Sequence, residues 1–268
     1  MNYVIVNSNK TVVSAIQMAV DAIPALNTSV SVVHAALGPF LRSYVDSGPS
    51  AIVSPANSLA YMGGGFDKAI LLELTGDRFP NFNYKTLERC IQRNAHHHRG
   101  YIVPATVHHV DLPKVYGEAQ MDFASTLAYT KNITTLLQVP TMVVPEKTTC
   151  QVVFDTMWSV LVESGRKTDK VRTLILPALG AGYGGVEPEV VGQIMAGAIA
   201  LFTMDIPPLA RSLAILLFTR KDHRKLGLPE DIAELEYYMD RDKYMDHMDS
   251  SKDKWPLPWN QLTEIMKI

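Results

Sequence analysis

The sequence predicts a three-layer α/β/α domain built on a mixed, largely parallel central sheet. Three observations carry this. Short β-branched runs alternate with longer segments of helical periodicity. Several of the runs, such as Leu174-Ile175-Leu176, are continuously apolar, as central strands covered on both faces must be. Strand and helix in strict alternation then favour parallel strands joined by helical crossovers.

In chain order the predicted strands are 3–6, 30–34, 51–54, 101–110, 141–144, 171–179 and 212–219. The last owes its place to the apolar run Ala214-Ile215-Leu216-Leu217. Helices are predicted near 11–25, 66–75, 84–98, 149–164 and 188–204. In the last of these Val191, Ile194, Met195, Ala198 and Phe202 recur at helical spacing, and Pro188 suits the first turn. Beyond Arg220 the composition turns strongly charged, up to Trp255-Pro256-Leu257-Pro258-Trp259. The expected organisation is therefore a domain over 1–220 and a charged extension over 221–268 whose tryptophans dock on it.

The chain has 268 residues, of which 47% are hydrophobic, so it can bury an ordinary core without staples. Twenty-five basic against 27 acidic residues leave a net charge of −2, which argues against bulk nucleic-acid binding. Cys90 and Cys150 are too few for a disulfide framework and read as buried thiols of a reducing compartment. The start lacks a basic n-region, and the apolar run 190–204 is short of a membrane span. The protein is accordingly expected in the cytoplasm or nucleus, away from membranes.

Two glycine loops hold the chemistry. Strand 51–54 runs into Ser54-Pro55-Ala56-Asn57, then Gly63-Gly64-Gly65-Phe66-Asp67 at the head of a helix. Residues without Cβ atoms let a ligand reach backbone N–H groups, and the helix start adds more of them. Strand 171–179 runs into Gly180-Ala181-Gly182-Tyr183-Gly184-Gly185, again ahead of a helix. Ligands of open parallel sheets sit at the carboxyl ends of the strands, so the two loops can share one ligand. Two facing loops fit a diphosphate.

Gly180, Gly182 and Gly185 also spell the dinucleotide fingerprint, with Asp205 at the right distance. That acid precedes the predicted strand 212–219 instead of ending it, Pro188 delays the helix, and the triple glycine stays unexplained. A nicotinamide oxidoreductase is the weakest alternative. His96-His97-His98 lacks acidic or thiol partners at ligand spacing and reads as a helix end; His108 and His109 alternate faces of a strand, and His34 closes another. No nucleophile elbow or Walker lysine is present. No metal and no cofactor are called for.

Taken together, 54–57, 63–70 and Pro177-Ala178-Leu179-Gly180-Ala181-Gly182 resemble the macro domain, the ADP-ribose-binding and Appr-1″-p processing fold, over about residues 30–220. The segment 140–145 is similar to a middle strand of one branch. The resemblance implies that Asn57 contacts the distal ribose, with Ser54 and Ala56 in the same tetrapeptide. It places the diphosphate on Gly63, Gly64 and Gly65 and on Gly180, Ala181, Gly182 and Gly184, with Tyr183 covering the second loop. Asp67 matches an acid that in hydrolytic branches helps place a water.

Two departures stand out. Ser54 replaces the first Asn of the family tetrapeptide, and Val33-His34-Ala35-Ala36 stands where the family often has an adenine-binding Asp. Asp67 at a helix start also has a purely structural use as a cap, and a carboxylate there is expected to have a lowered pKa. The resemblance thus implies binding of ADP-ribose or ADP-ribosylated protein. It also implies hydrolysis at the distal ribose of protein-linked ADP-ribose, O-acetyl-ADP-ribose or ADP-ribose 1″-phosphate, with a non-catalytic binding module as the alternative.

Overall fold

The computed structural model describes residues 1–45, 48–75, 84–166, 171–250 and 255–267, with the side chains of residues 96, 97 and 248–250 left aside. Six strands, β1 (Asn2–Asn7), β2 (Val30–His34), β3 (Ser50–Ser54), β4 (His108–Asp111), β5 (Ile133–Gln138) and β6 (Thr173–Leu176), form one sheet in the order β2-β1-β6-β3-β5-β4. All neighbours are parallel except β4, which runs antiparallel to β5 at the edge. The mixed, largely parallel sheet is as expected.

The helices are α1 (Lys10–Asp21), α2 (Leu37–Ser43), α3 (Gly65–Thr75), α4 (Tyr84–Asn94), α5 (Leu112–Glu118), α6 (Leu127–Thr130), α7 (Cys150–Arg166), α8 (Pro188–Thr203), α9 (Pro208–Phe218), α10 (Pro229–Glu236), α11 (Arg241–Ser250) and α12 (Trp259–Ile265). One core joins α1, α7, α8 and α9 to Ile5, Val53 and Leu174 of the sheet. A second joins α2 to α5 to Val6, Ile52 and Ile175. Successive strand residues point to opposite faces, so β1, β3, β5 and β6 feed both cores, which is why each carries adjacent apolar residues such as Ile5-Val6, Ile52-Val53 and Leu174-Ile175.

Three expectations are corrected. Residues 212–219 are no strand; they lie in and just beyond α9. There Ala210, Leu213, Ala214 and Leu217 repeat at helical spacing and are buried, and Pro208 starts the helix. The segment 141–144 makes only an isolated bridge, Asn57 to Met142, because Pro140 and Pro145 bracket it. The strand there is β5, just ahead of Pro140. Of 101–110 only β4 is extended into the sheet, since Pro104 and the left-handed Ala105 (φ 63°) break the run.

The chain beyond α9 folds back onto the domain. Trp255 Nε1 donates to the Thr219 carbonyl (2.9 Å), Leu257 N donates to the Phe218 carbonyl (2.9 Å), and Trp255 and Trp259 pack on the first core. Trp255→Ala is therefore expected to cost about 2 kcal/mol, through lost packing and a carbonyl left without its donor. Chemical denaturation of the two proteins checks this. Among the described residues no helix is long and apolar enough to cross a membrane.

Candidate functional site

β1, β6 and β3 end side by side at the same edge of the sheet, and the segments that follow them surround one cavity of about 820 Å³. Its walls include Gly63, Gly64, Gly65 and Asp67 from the first loop and Gly180, Gly182, Tyr183 and Gly184 from the second. The two glycine loops do meet. Tyr183, which is 65% exposed, joins them: its Oη lies 3.2 Å from where a Cβ of Gly64 would stand.

Each loop is held from behind. Met62, directly before the triple glycine, donates its N–H to Oε1 of the buried Glu88 on α4 (2.8 Å), whose Oε2 pairs with Lys85 (2.5 Å). The second loop closes on itself through Val186 N to the Gly180 carbonyl (3.1 Å) and Gly185 N to the Gly182 carbonyl (3.0 Å). Gly180 takes the left-handed conformation this needs (φ 81°). Among the described residues, the N–H groups of Gly63, Gly64, Gly182, Tyr183 and Gly184 donate to no protein acceptor. The first turn of α3 adds N–H groups that a helix cannot satisfy itself.

Asp67 sits in that first turn, only 7% exposed, with Oδ1 accepting from Ser54 Oγ (2.6 Å). Ser54 is fully buried at the end of β3. Burial pushes the Asp67 carboxyl up to about 7, and the Ser54 hydrogen bond opposes this only in part. The expectation of a lowered value is thus overturned, since loss of water outweighs the favourable helix end. Asp67 is a buried acid poised to titrate near neutrality, beyond any service as a cap.

Asn57 lines the cavity while its amide closes its own loop. Nδ2 donates to the Tyr61 carbonyl (2.6 Å), and Oδ1 accepts from Leu59 N (3.1 Å) and Tyr61 N (3.3 Å). Of the residues singled out from sequence, Ser54, Ala56 and Ala181 do not form the wall. Ser54 backs Asp67, Ala56 is fully buried, and Ala181 packs on the first core.

On the far side of the cavity, at the ends of β1 and β2, Ala35 and Ala36 belong to the segment that the sequence reading matches to the family's adenine-binding position, whereas Asn7, Ser8 and Leu37 were missed. The sequence reading also missed the rim of Leu59, Tyr61, Met142 and Val144. Leu59, Tyr61 and Val144 are exposed. Position at the carboxyl end of β1, the neighbour of β6, was the available signal for Asn7.

The histidines stand apart. His34, His108 and His109 do not line the cavity, and the side chains of His96 and His97 lie outside the described residues. Cys90 is buried and Cys150 half-buried, with the Cys150 thiol pushed up by burial. Among the described residues no cluster of His, Cys, Asp and Glu could hold a metal ion.

The model of the macro-like domain family matches residues 2–220 of this chain. The chain belongs to that family. The macro-like match spans every strand and both glycine loops. Among solved structures, the macrodomain of Mycobacterium tuberculosis DarG is 17% identical, with 59% of this chain and 87% of that one covered and a TM-score of 0.39. Thermosipho africanus DarTG in complex with ADP-ribose is likewise 17% identical, with a TM-score of 0.41. There 59% of this chain corresponds to 36% of that one.

Proposed function

We propose that the cavity holds an ADP-ribose moiety and that the protein hydrolyses a neutral linkage at its distal ribose, an ester to a protein side chain or an O-acyl group. The observation that carries this is the meeting of the two glycine loops across one cavity with the buried Asp67 at its wall. Unused N–H groups suit a diphosphate without any lysine. The volume lies in the range of small-molecule sites.

In this reading the loops fix the diphosphate, Asn57 shapes the turn beside the distal ribose, and Asp67 receives a proton from the attacking water. With its carboxyl near 7, Asp67 is matched to general-base work at neutral pH. The new bond joins the water oxygen to the linkage carbon, the bond to the leaving oxygen breaks, and that oxygen takes up the proton from Asp67 as it departs as a hydroxyl. Binding and orientation supply the remainder of the rate.

A 1″-phosphate suits the site less well. No lysine, arginine or histidine is among the described residues of the wall, and an ionised Asp67 repels a phosphate dianion. The exposed Leu59, Tyr61 and Val144 at the rim favour a neutral or protein-borne leaving group.

Calorimetry with ADP-ribose is expected to give micromolar affinity, about −8 kcal/mol. Turnover of ester-linked ADP-ribosylated protein and of O-acetyl-ADP-ribose is expected in the wild type and lost in Asp67→Ala. Binding with no turnover of either would leave a reader module, and equal rates in the two proteins would remove Asp67 from the chemistry.

A further inference from the structure

Asn7 is the last residue of β1, opposite His34 of β2, and it lines the cavity. Its Oδ1 accepts the Asn9 N–H (2.8 Å), which orients the amide. A backbone N–H needs an acceptor, so the carbonyl must face Asn9 and the NH₂ must face elsewhere. Among the described residues that NH₂ has no partner. The nearby wall is Ala35, Ala36 and Leu37, small and apolar, with no carboxylate.

The two ends of the cavity differ in chemistry. Ser54 and Asp67 stand at β3, two strands from β1 and so roughly 10 Å away. A sugar rich in hydroxyls fits that polar end, whereas a flat base fits the apolar wall at β1 and β2. We infer that Asn7 reads the base of the bound nucleotide as a hydrogen-bond donor, so that the site takes a purine diphosphoribose through an acceptor atom of the base, adenine and hypoxanthine alike. This rests on the ADP-ribose reading above. A ring nitrogen of adenine, or the 6-carbonyl of hypoxanthine, can receive the Nδ2 hydrogen, and the 6-amino group of adenine is not what is recognised.

Calorimetry with ADP-ribose, inosine diphosphate ribose and the base-free ribose 5-diphosphate tests it on wild type, Asn7→Ala and Asn7→Asp. The two purine ligands are expected to bind wild type within about threefold of each other. Asn7→Ala is expected to weaken both about fivefold, one hydrogen bond's worth, and to leave the base-free ligand unchanged. Asn7→Asp keeps the acceptor that Asn9 needs but has no donor, so it remains informative should the alanine variant fold poorly. It is expected to weaken both purine ligands.

Three results overturn the inference: a wild-type preference for ADP-ribose above tenfold, purine affinities untouched by Asn7→Ala, or tighter ADP-ribose binding by Asn7→Asp. The last would mean that the amino group meets residue 7. Failure of wild type to bind any of the three ligands would instead sink the underlying ADP-ribose reading, and this inference with it.

Discussion

Exchanging Asp67 for Asn is expected to stabilise the protein at neutral pH while abolishing its turnover. The native carboxyl titrates at about 7, against an ordinary value of 3.8. Between those values the native state keeps the proton and the unfolded chain has lost it, so rising pH favours unfolding. The stability tied to the protonated form is complete below 3.8 and is lost as pH climbs through 7. The distance from 3.8 to about 7 corresponds to something on the order of 4 kcal/mol.

An amide at this position carries no such penalty, and its Oδ1 can still accept from Ser54 Oγ. The melting temperature of Asp67→Asn should match wild type near pH 4 and exceed it by about 8 °C at pH 8, taking about 2 °C per kcal/mol. Thermal denaturation at three pH values reads this directly, and a gap that does not widen with pH would contradict it. In the same preparations kcat/KM of the wild type should rise with pH and level off above about 7, the value set by the free enzyme's base. The inflection in kcat should lie higher, because a bound diphosphate adds negative charge near Asp67. The amide of Asp67→Asn cannot accept the proton, and a loss of roughly 10²–10⁴-fold is expected.

The two glycine loops were legible in the sequence because their message is local. A strand, a run of residues without Cβ and a helix start make an anion cradle whatever surrounds them. Their meeting depends on β6 and β3 being neighbours, which the alternating pattern of strands made reasonable. What was not legible is non-local. The apolar run in α9 suits either a buried strand or a buried helix, and only its packing against α8 and α10 decides. β5, Ile-Thr-Thr-Leu-Leu-Gln, was eclipsed by the proline-bracketed run after it. The state of Asp67 turns on its burial, and no residue near it in sequence reports that. Asn7 carries no motif; its place at the cavity follows from β1 lying between β2 and β6.

Gly184→Ala is expected to weaken ADP-ribose binding by about 100-fold with only a modest loss of stability. A Cβ at this position would lie 2.8 Å from the Gly180 carbonyl oxygen and 2.8 Å from Thr148 Cγ2. The Gly180 oxygen cannot yield, because it also accepts Val186 N. Thr148 is tied as well, its N–H donating to the Gly184 carbonyl (3.0 Å) and its Oγ1 to the Thr141 carbonyl (2.7 Å). The loop must therefore open to admit one methyl group, an overpacking cost of about 1–3 kcal/mol. Opening turns the N–H groups of Gly182, Tyr183 and Gly184 away from a common target and moves the Tyr183 ring off Gly64.

Hydrogen bonds to a charged diphosphate are worth more than neutral ones, so losing the aim of two of them accounts for about 2.7 kcal/mol, or 100-fold. Gly182→Ala is the control for the fold. Nothing lies within 4 Å of its added Cβ, so its stability should stay within about 0.5 kcal/mol of wild type. Calorimetry and denaturation on the pair separate the two effects. Undiminished ADP-ribose affinity in Gly184→Ala would show that the second loop does not grip the diphosphate through its backbone.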